Sequence, residues 1–364
     1  MSYRLIDTKM DKILTIIIPT YNMESLLPRC LDSLVKPQCS EFLEVLVIND
    51  GSKDNSLSIA RKYESEYTGI IKAVDKENGN YGSAVNKGIE LATGKYFRIL
   101  DADDYYDNKG LSILINELEN INVDLILTNY RKDRGAQKVY FKSPESSIGH
   151  IYDFDNVDID SYPNFAMHGI TYKTSILKNN NIRLQHGISY TDTEYCFYPL
   201  SYVKTFVALD ILVYCYQLGR PGQTVEISSQ IKSVASMVKI IDRMYYYLKD
   251  NNIEERLFKK LRSIFCNING LCFMTILCFD GSEKNMTLLG KLRKQIDDIS
   301  GAQDIMLGKN LFGVRYYKSY MQKKKKSNGL LYSFYYKLVK KGVALSWAIR
   351  DKVFKNISHN IAGK

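Results

Sequence analysis

The 364-residue chain has one tryptophan, four histidines and seven prolines, and its cysteines make no Cys-x-x-Cys pair. Its best apolar stretches, Leu14–Pro19 and Gly270–Phe279, fall short of the ~18 residues that a membrane-spanning helix requires. The opening Met-Ser-Tyr-Arg-Leu-Ile-Asp lacks the basic-then-apolar order of a signal peptide. Seven cysteines is an odd number, and Cys266, Cys272 and Cys278, six apart, suit neither a zinc site nor a disulfide framework. Reduced thiols in a cytoplasmic chain are expected. With 45% hydrophobic and 25% charged residues, the chain is neither disordered nor fibrous, and it is long enough for two domains.

Charge divides the chain. Residues 231–364 hold 26 Lys+Arg against 10 Asp+Glu, a net of +16, whereas the first 230 hold 24 against 30, a net of −6. Two jobs follow, and the basic half should seek a polyanion: an anionic lipid surface, a phosphate-containing polymer or nucleic acid. Nucleic acid would suit the charge, but no recognition motif supports it. The 28 tyrosines carry large rings with polar tips, which suit sugar clefts and wet interfaces without deciding between them.

Short β-branched runs alternate with amphipathic ones through the first part of the chain. Strands are expected at Leu14–Ile18, Glu44–Ile48, Ile70–Val74, Tyr96–Leu100 and Val123–Leu127. Helices are expected after a cap at Asn22, over about Asp54–Tyr67, over Gly82–Ala92 and over Leu111–Leu118. This alternation implies parallel strands with right-handed crossovers, and ligands bind beyond the carboxyl ends of such strands. A hairpin is expected around Lys138–Lys142, and regular pattern resumes at Met167–Ile176 and Phe206–Gln217. Beyond Ile231 the pattern is helical. The fold class is therefore α/β with a helical second part, divided into residues 1–230 and 231–364.

Polar clusters fall at the strand ends. Asp101-Ala-Asp103-Asp104 follows the fourth strand, and two carboxylates one residue apart can converge on magnesium or manganese. Pro19-Thr-Tyr21-Asn22 and Asn49-Asp50-Gly51-Ser52 follow the first and second strands, where a ring and a carboxylate can meet a base. Asn78-Gly79-Asn-Tyr-Gly82-Ser83 is a glycine-rich loop feeding a helix, where backbone N–H groups favour anionic oxygens.

In order and spacing, Leu14–Asn22, Val45–Ser56, Asn78–Gly88 and Leu100–Asp104 resemble the family 2 glycosyltransferases of the GT-A fold, over roughly residues 12–225. The resemblance implies a Rossmann-like catalytic domain using Mn2+ or Mg2+ and a UDP-sugar. Tyr21 and Asp50 would contact the uracil, with Pro19 shaping the pocket. Asn78, Gly79 and Ser83 would lie near the sugar nucleotide. Asp101 would face the ribose or sugar and share the metal with Asp103, its main ligand. The family's general base matches Asp192 in Tyr190-Thr-Asp192-Thr-Glu194, although Thr191 stands where an acid is usual; Glu194 is the fallback. Gly219-Arg220-Pro-Gly-Gln223 resembles a segment of bacterial members that build capsules and wall polymers. There Arg220 offers a fork to phosphate and Gln223 can read a sugar hydroxyl. His168 is a candidate for the acceptor side.

The expected reaction is metal-dependent, inverting transfer of a hexose or N-acetylhexosamine from a UDP-sugar to a glycan or lipid-linked acceptor. A sugar-phosphate nucleotidyltransferase ranks far behind, because no basic, glycine-rich phosphate loop follows the first strand. An inactive scaffold on the same fold is the other alternative; intact Asp101, Asp103 and Asp192 argue against it. Leu330, Leu331, Phe334, Leu338, Leu345 and Ile349 form one helical stripe with lysines opposite and Lys323–Lys326 ahead. Such a helix can lie on an anionic membrane at the inner face of the cell, or the C-terminal helices can pair copies of the chain. Phe265–Phe279 is expected as helical core.

Overall fold

The computed structural model describes residues 12–36, 40–220 and 222–308. They form two compact units: one runs to Gln217 without 134–137, and the other takes those four residues and the chain from Leu218.

The first unit opens with β1 (Leu14–Thr20), α1 (Leu27–Val35), β2 (Leu43–Asp50), α2 (Ser56–Glu66) and β3 (Ile71–Lys76). Next come α3 (Asn80–Leu91), β4 (Tyr96–Ile99), β5 (Tyr105–Tyr106) and α4 (Asn108–Asn120). β6 (Leu125–Arg134), β7 (Gln137–Phe141), β8 (Ile151–Asp153) and β9 (Ile170–Lys173) follow, then α5 (Thr174–Asn179), α6 (Asp192–Phe197) and β10 (Thr205–Leu218). They make one sheet in the order β3-β2-β1-β4-β9-β6-β10-β5, with β7 beside β6 and β8 beside β10. The expected hairpin is β6–β7.

β1 runs parallel to β2 and β4, and β2 to β3, as the alternation required. Leu14, Ile16, Ile17 and Ile18 are fully buried, the state that a continuous apolar run predicts for a strand covered on both faces. α3 lies close on this layer because Gly88 has no side chain; a Cβ there would stand 2.5 Å from Ile17 Cγ2. The far half differs from expectation. β6 was expected to continue the parallel series, but β9 lies between it and β4, antiparallel to both. β6 therefore keeps its parallel sense without touching β4.

Asn22 also departs from its expected role. α1 begins only at Leu27, with Pro28 in its first turn. Asn22 takes φ 54, a region asparagine tolerates, and its Oδ1 accepts the Lys53 N–H at 2.8 Å. It ties two strand-end loops together instead of capping a helix.

The second unit carries α7 (Ile227–Lys232), α8 (Val234–Asp250), α9 (Glu255–Met274), α10 (Glu283–Met286), α11 (Leu288–Asp298) and α12 (Ala302–Gly308). Phe265, Cys266, Cys272 and Phe273 are buried within it, the core role expected of them. Among the described residues no helix is long and apolar enough to cross a membrane. The 330–355 stripe and Lys323–Lys326 lie outside the described residues.

Arg98 joins the two halves of the sheet. Fully buried on β4, it donates from Nη1 to Thr128 Oγ1 on β6 and Thr171 Oγ1 on β9, both at 2.9 Å. Nη2 donates to the His168 carbonyl at 2.7 Å and Nε to the Tyr106 hydroxyl at 3.2 Å. Arg98→Ala strands these acceptors in a dry interior and opens a cavity. Urea unfolding should report a loss of about 3 kcal/mol or more.

Candidate active site

The nucleotide-side candidates converge at the ends of β1, β2 and β3. Tyr21, directly after β1, is 46% exposed, while Asp50, closing β2, is buried. One Asp50 oxygen, Oδ1, accepts from Lys76 Nζ at 2.5 Å and from the Gly79 N–H at 3.0 Å. Asn78 Nδ2 donates to the Asp50 carbonyl at 2.8 Å. Gly51 permits this approach with φ 71, and a Cβ on it would stand 3.0 Å from the Asn78 nitrogen. Gly79 is bare for a similar reason, since a Cβ would meet Ser83 Oγ at 2.5 Å. Pro19 stands opposite Ile48 on the neighbouring strand. The two loops are zipped by Asn22 N–H to Ser52 Oγ (3.0 Å), Met23 N–H to Ser56 Oγ (2.8 Å) and Glu24 N–H to Asp54 Oδ2 (3.0 Å). Lys76 was not anticipated; its only sequence signal is a cation at the end of the third strand.

After β4 the chain turns sharply, the Asp104 N–H bonding the Asp101 carbonyl at 2.9 Å. Asp101 Oδ1 accepts from the Tyr81 hydroxyl at 2.8 Å, and Arg29 Nη2 donates to the Asp103 carbonyl at 2.8 Å. Asp104 is buried and engaged at both oxygens, by the Tyr214 hydroxyl (2.6 Å) and the Gln217 N–H (2.7 Å). Ligand atoms of Asp101, Asp104 and His168 lie within 4.8 Å of one another. Asp103, the expected main ligand, is outside that group, although its charge acts on both neighbouring aspartates.

Burial, and then repulsion from Asp103, pushes the Asp101 carboxyl up to about 7. Burial, then Asp101 and Asp103, raises Asp104 as well. Burial, with Lys132 and Arg98 behind it, holds His168 down to about 3, so its imidazole is neutral. His168 Nδ1 is buried without a hydrogen-bond partner. Crowded carboxylates beside a neutral imidazole fit a divalent cation, whose charge would relieve their repulsion.

Asp192, remote in sequence, is close enough for its charge to act on this turn. The positive φ of Tyr190, 67°, turns the chain into α6, where Asp192 is the first residue. Its charge acts on Asp101 and Tyr81, and together with Asp101, Asp103 and Asp104 it acts on Tyr216. Burial raises the Asp192 carboxyl, and a hydrogen bond from the Thr193 backbone opposes the shift. Glu194 points elsewhere: fully buried, it accepts from the Gln185 N–H (2.7 Å) and Nε2 (2.9 Å). Arg220 and Gln223 belong to the second unit, where Gln223 Oε1 accepts the Gly219 and Arg220 N–H groups at 2.9 and 3.1 Å and closes their turn.

Residues 15–180 match the profile of glycosyl transferase family 2. That match takes in less than half of the chain. An uncharacterized glycosyltransferase of Mycoplasma pneumoniae, the MG060 homolog, is 40% identical over 124 residues, 33% of this chain and 41% of the relative. The poly(ribitol-phosphate) beta-glucosyltransferase of Bacillus spizizenii is 28% identical over 263 residues, 70% of this chain and 39% of its own. The S. aureus TarS fragment 1–349, solved with UDP-GlcNAc, superposes with a TM-score of 0.58 at 19% identity, covering 81% of this chain and 83% of that one. The chain spans less than half the length of the curated relatives it matches. The family 2 match takes in both strand-end loops, the Asn78–Ser83 loop and the acidic turn, and stops before Asp192.

An unfolded carboxyl titrates near 4, whereas Asp101 in the fold titrates at about 7. Across that window the folded chain holds a proton that the unfolded chain has lost, so stability contributed by Asp101 falls as pH rises. Melting temperatures of the metal-free protein from pH 4.5 to 7.5 should carry this downward component. Asp101→Asn should flatten it, and manganese should stabilise the unsubstituted chain more at the alkaline end.

Proposed function

We propose that the chain is an inverting glycosyltransferase. It moves a hexose or N-acetylhexosamine from a UDP-sugar to a glycan or lipid-linked acceptor in surface-polysaccharide synthesis, with metal dependence. The observation that carries this reading is that the charge of Asp192, at the start of α6, acts on Asp101 and on Tyr81, whose hydroxyl bonds the Asp101 carboxylate. An inverting displacement needs a base on one side of the anomeric carbon and charge neutralisation of the leaving diphosphate on the other.

Asp50 keeps one oxygen on Lys76 and Gly79 and offers the other to the N–H of a uracil stacked on exposed Tyr21, with Pro19 shaping the wall. Asn78, Gly79 and Ser83 hold this corner rigid. A divalent cation held by Asp101 and Asp103 would supply Lewis-acid charge to the departing diphosphate. Asp104 is committed to Tyr214 and Gln217, and so fixes the turn that carries both ligands. The Tyr81 hydroxyl orients Asp101. Asp192 takes the acceptor hydroxyl's proton, and its raised carboxyl suits a base working near neutral pH. Glu194 is the buried strut beneath it. The basic 231–364 half would bring the enzyme to an anionic membrane surface.

Asp192→Asn should lower transfer on the order of 10²–10⁴-fold while UDP binding with manganese persists. UDP at one hundred times its dissociation constant should stabilise the chain by ~2.7 kcal/mol. That stabilisation should need manganese and vanish in Asp103→Asn, as read by thermal shift. Transfer that survives in Asp192→Asn would remove this residue from the base role.

A further inference from the structure

On β6, Thr128, Tyr130 and Lys132 alternate onto one face of the sheet, the face that Arg98 reaches through Thr128. Lys132 Nζ stands 4.8 Å from the Phe141 ring centroid and 5.8 Å from that of Tyr216. Among the described residues it makes no hydrogen bond and no ion pair, so two aromatic faces are its only partners. Tyr130 stacks on Phe141 at 4.6 Å, and His168 stacks on Tyr216 at 4.6 Å, which extends the aromatic floor around it. His168, stacked on that Tyr216 ring, brings a ring nitrogen within 4.8 Å of ligand atoms of Asp101 and Asp104. One half-buried cation therefore lies one ring away from the buried carboxylates of the acidic turn. Partial desolvation without an acceptor is costly for an ammonium, and aromatic faces offset only part of that cost.

Position in the sheet argues against the donor as its ligand. The proposed base pocket sits at β1 and β2, while β6 is three strands beyond β1, roughly 14 Å at ~4.8 Å per strand. Asp101, at the end of β4, lies between them in the strand order. We infer that Lys132, on its floor of Tyr216, His168, Tyr130 and Phe141, is an oxyanion subsite that binds a phosphate ester or carboxylate carried by the acceptor beside its reacting hydroxyl. An anionic acceptor would otherwise be repelled by the carboxylates, and Lys132 supplies the opposite charge at the edge of their cleft. The aromatic floor takes the apolar face of the adjoining polyol or sugar. The inference rests on the transferase reading for which hydroxyl reacts, but not for the binding of the anion.

The test titrates the 364-residue chain with glycerol 3-phosphate and, separately, with glycerate, each with and without UDP and manganese. The unsubstituted chain is compared with Lys132→Gln and Lys132→Arg. Anion binding by the basic half is common to all three proteins and cancels in the comparison. Expected is a dissociation constant about tenfold higher in Lys132→Gln, with most of the loss restored in Lys132→Arg and UDP affinity unchanged. An effect confined to glycerol 3-phosphate identifies a phosphate ester, and one confined to glycerate a carboxylate. Equal affinities in Lys132→Gln and the unsubstituted chain overturn the subsite. A fall in UDP affinity in Lys132→Gln assigns the lysine to the donor and overturns it equally. Failure of the unsubstituted chain to bind UDP sinks the donor reading, while the comparison without nucleotide still decides Lys132.

Discussion

A buried guanidinium with no carboxylate among its described partners holds the first unit together. Arg98 spends its donors on Thr128, Thr171, Tyr106 and the His168 carbonyl, so its charge is solvated by hydroxyls and a carbonyl of the protein. Each acceptor lies on a different segment, and so one side chain sets the spacing of β4, β5, β9 and β6. The acidic turn begins three residues after Arg98, and His168 is held by its own carbonyl. The geometry of the cleft thus depends on a charge placed beneath it. That charge also reaches His168 and helps keep its imidazole neutral.

Above that staple, burial and mutual repulsion among carboxylates set the chemistry. Asp101 and Asp104 are both raised by desolvation first and by their neighbours second. Asp104 is secured by Tyr214 and Gln217, so a group that would otherwise be expelled from a dry site anchors β10 to the turn. Asp50 shows the opposite solution, pairing with Lys76 at one oxygen. Within one unit, like charges crowd where a cation fits, and opposite charges pair where a base would be read.

Much of this was legible from the chain alone. The apolar runs that became β1, β2 and β4 are continuous because parallel strands are covered on both faces, and Asp50 and Asp101 follow them directly. Asn22 misled because asparagine serves both as a helix cap and as a residue tolerant of positive φ; a contact across to Lys53, not local pattern, decided between them. Arg98, inside a strand, gave no warning of its role, since a charged residue in an apolar run reads the same whether its partners are water or buried hydroxyls. β9 is too short to announce that it would slip between β4 and β6.

By itself the sequence determined the order of elements, the parallel core and the placing of acidic residues at strand ends, because periodicity and crossover handedness are local properties of a chain. Tertiary structure alone decided that the charge of Asp192 acts on Asp101 while Glu194 turns to Gln185, that Lys76 pairs with Asp50, and that Lys132 is left with aromatic faces. Those outcomes depend on burial and on neighbours far along the chain. The energy of a charge is set by what surrounds it in space, and residue spacing does not record that.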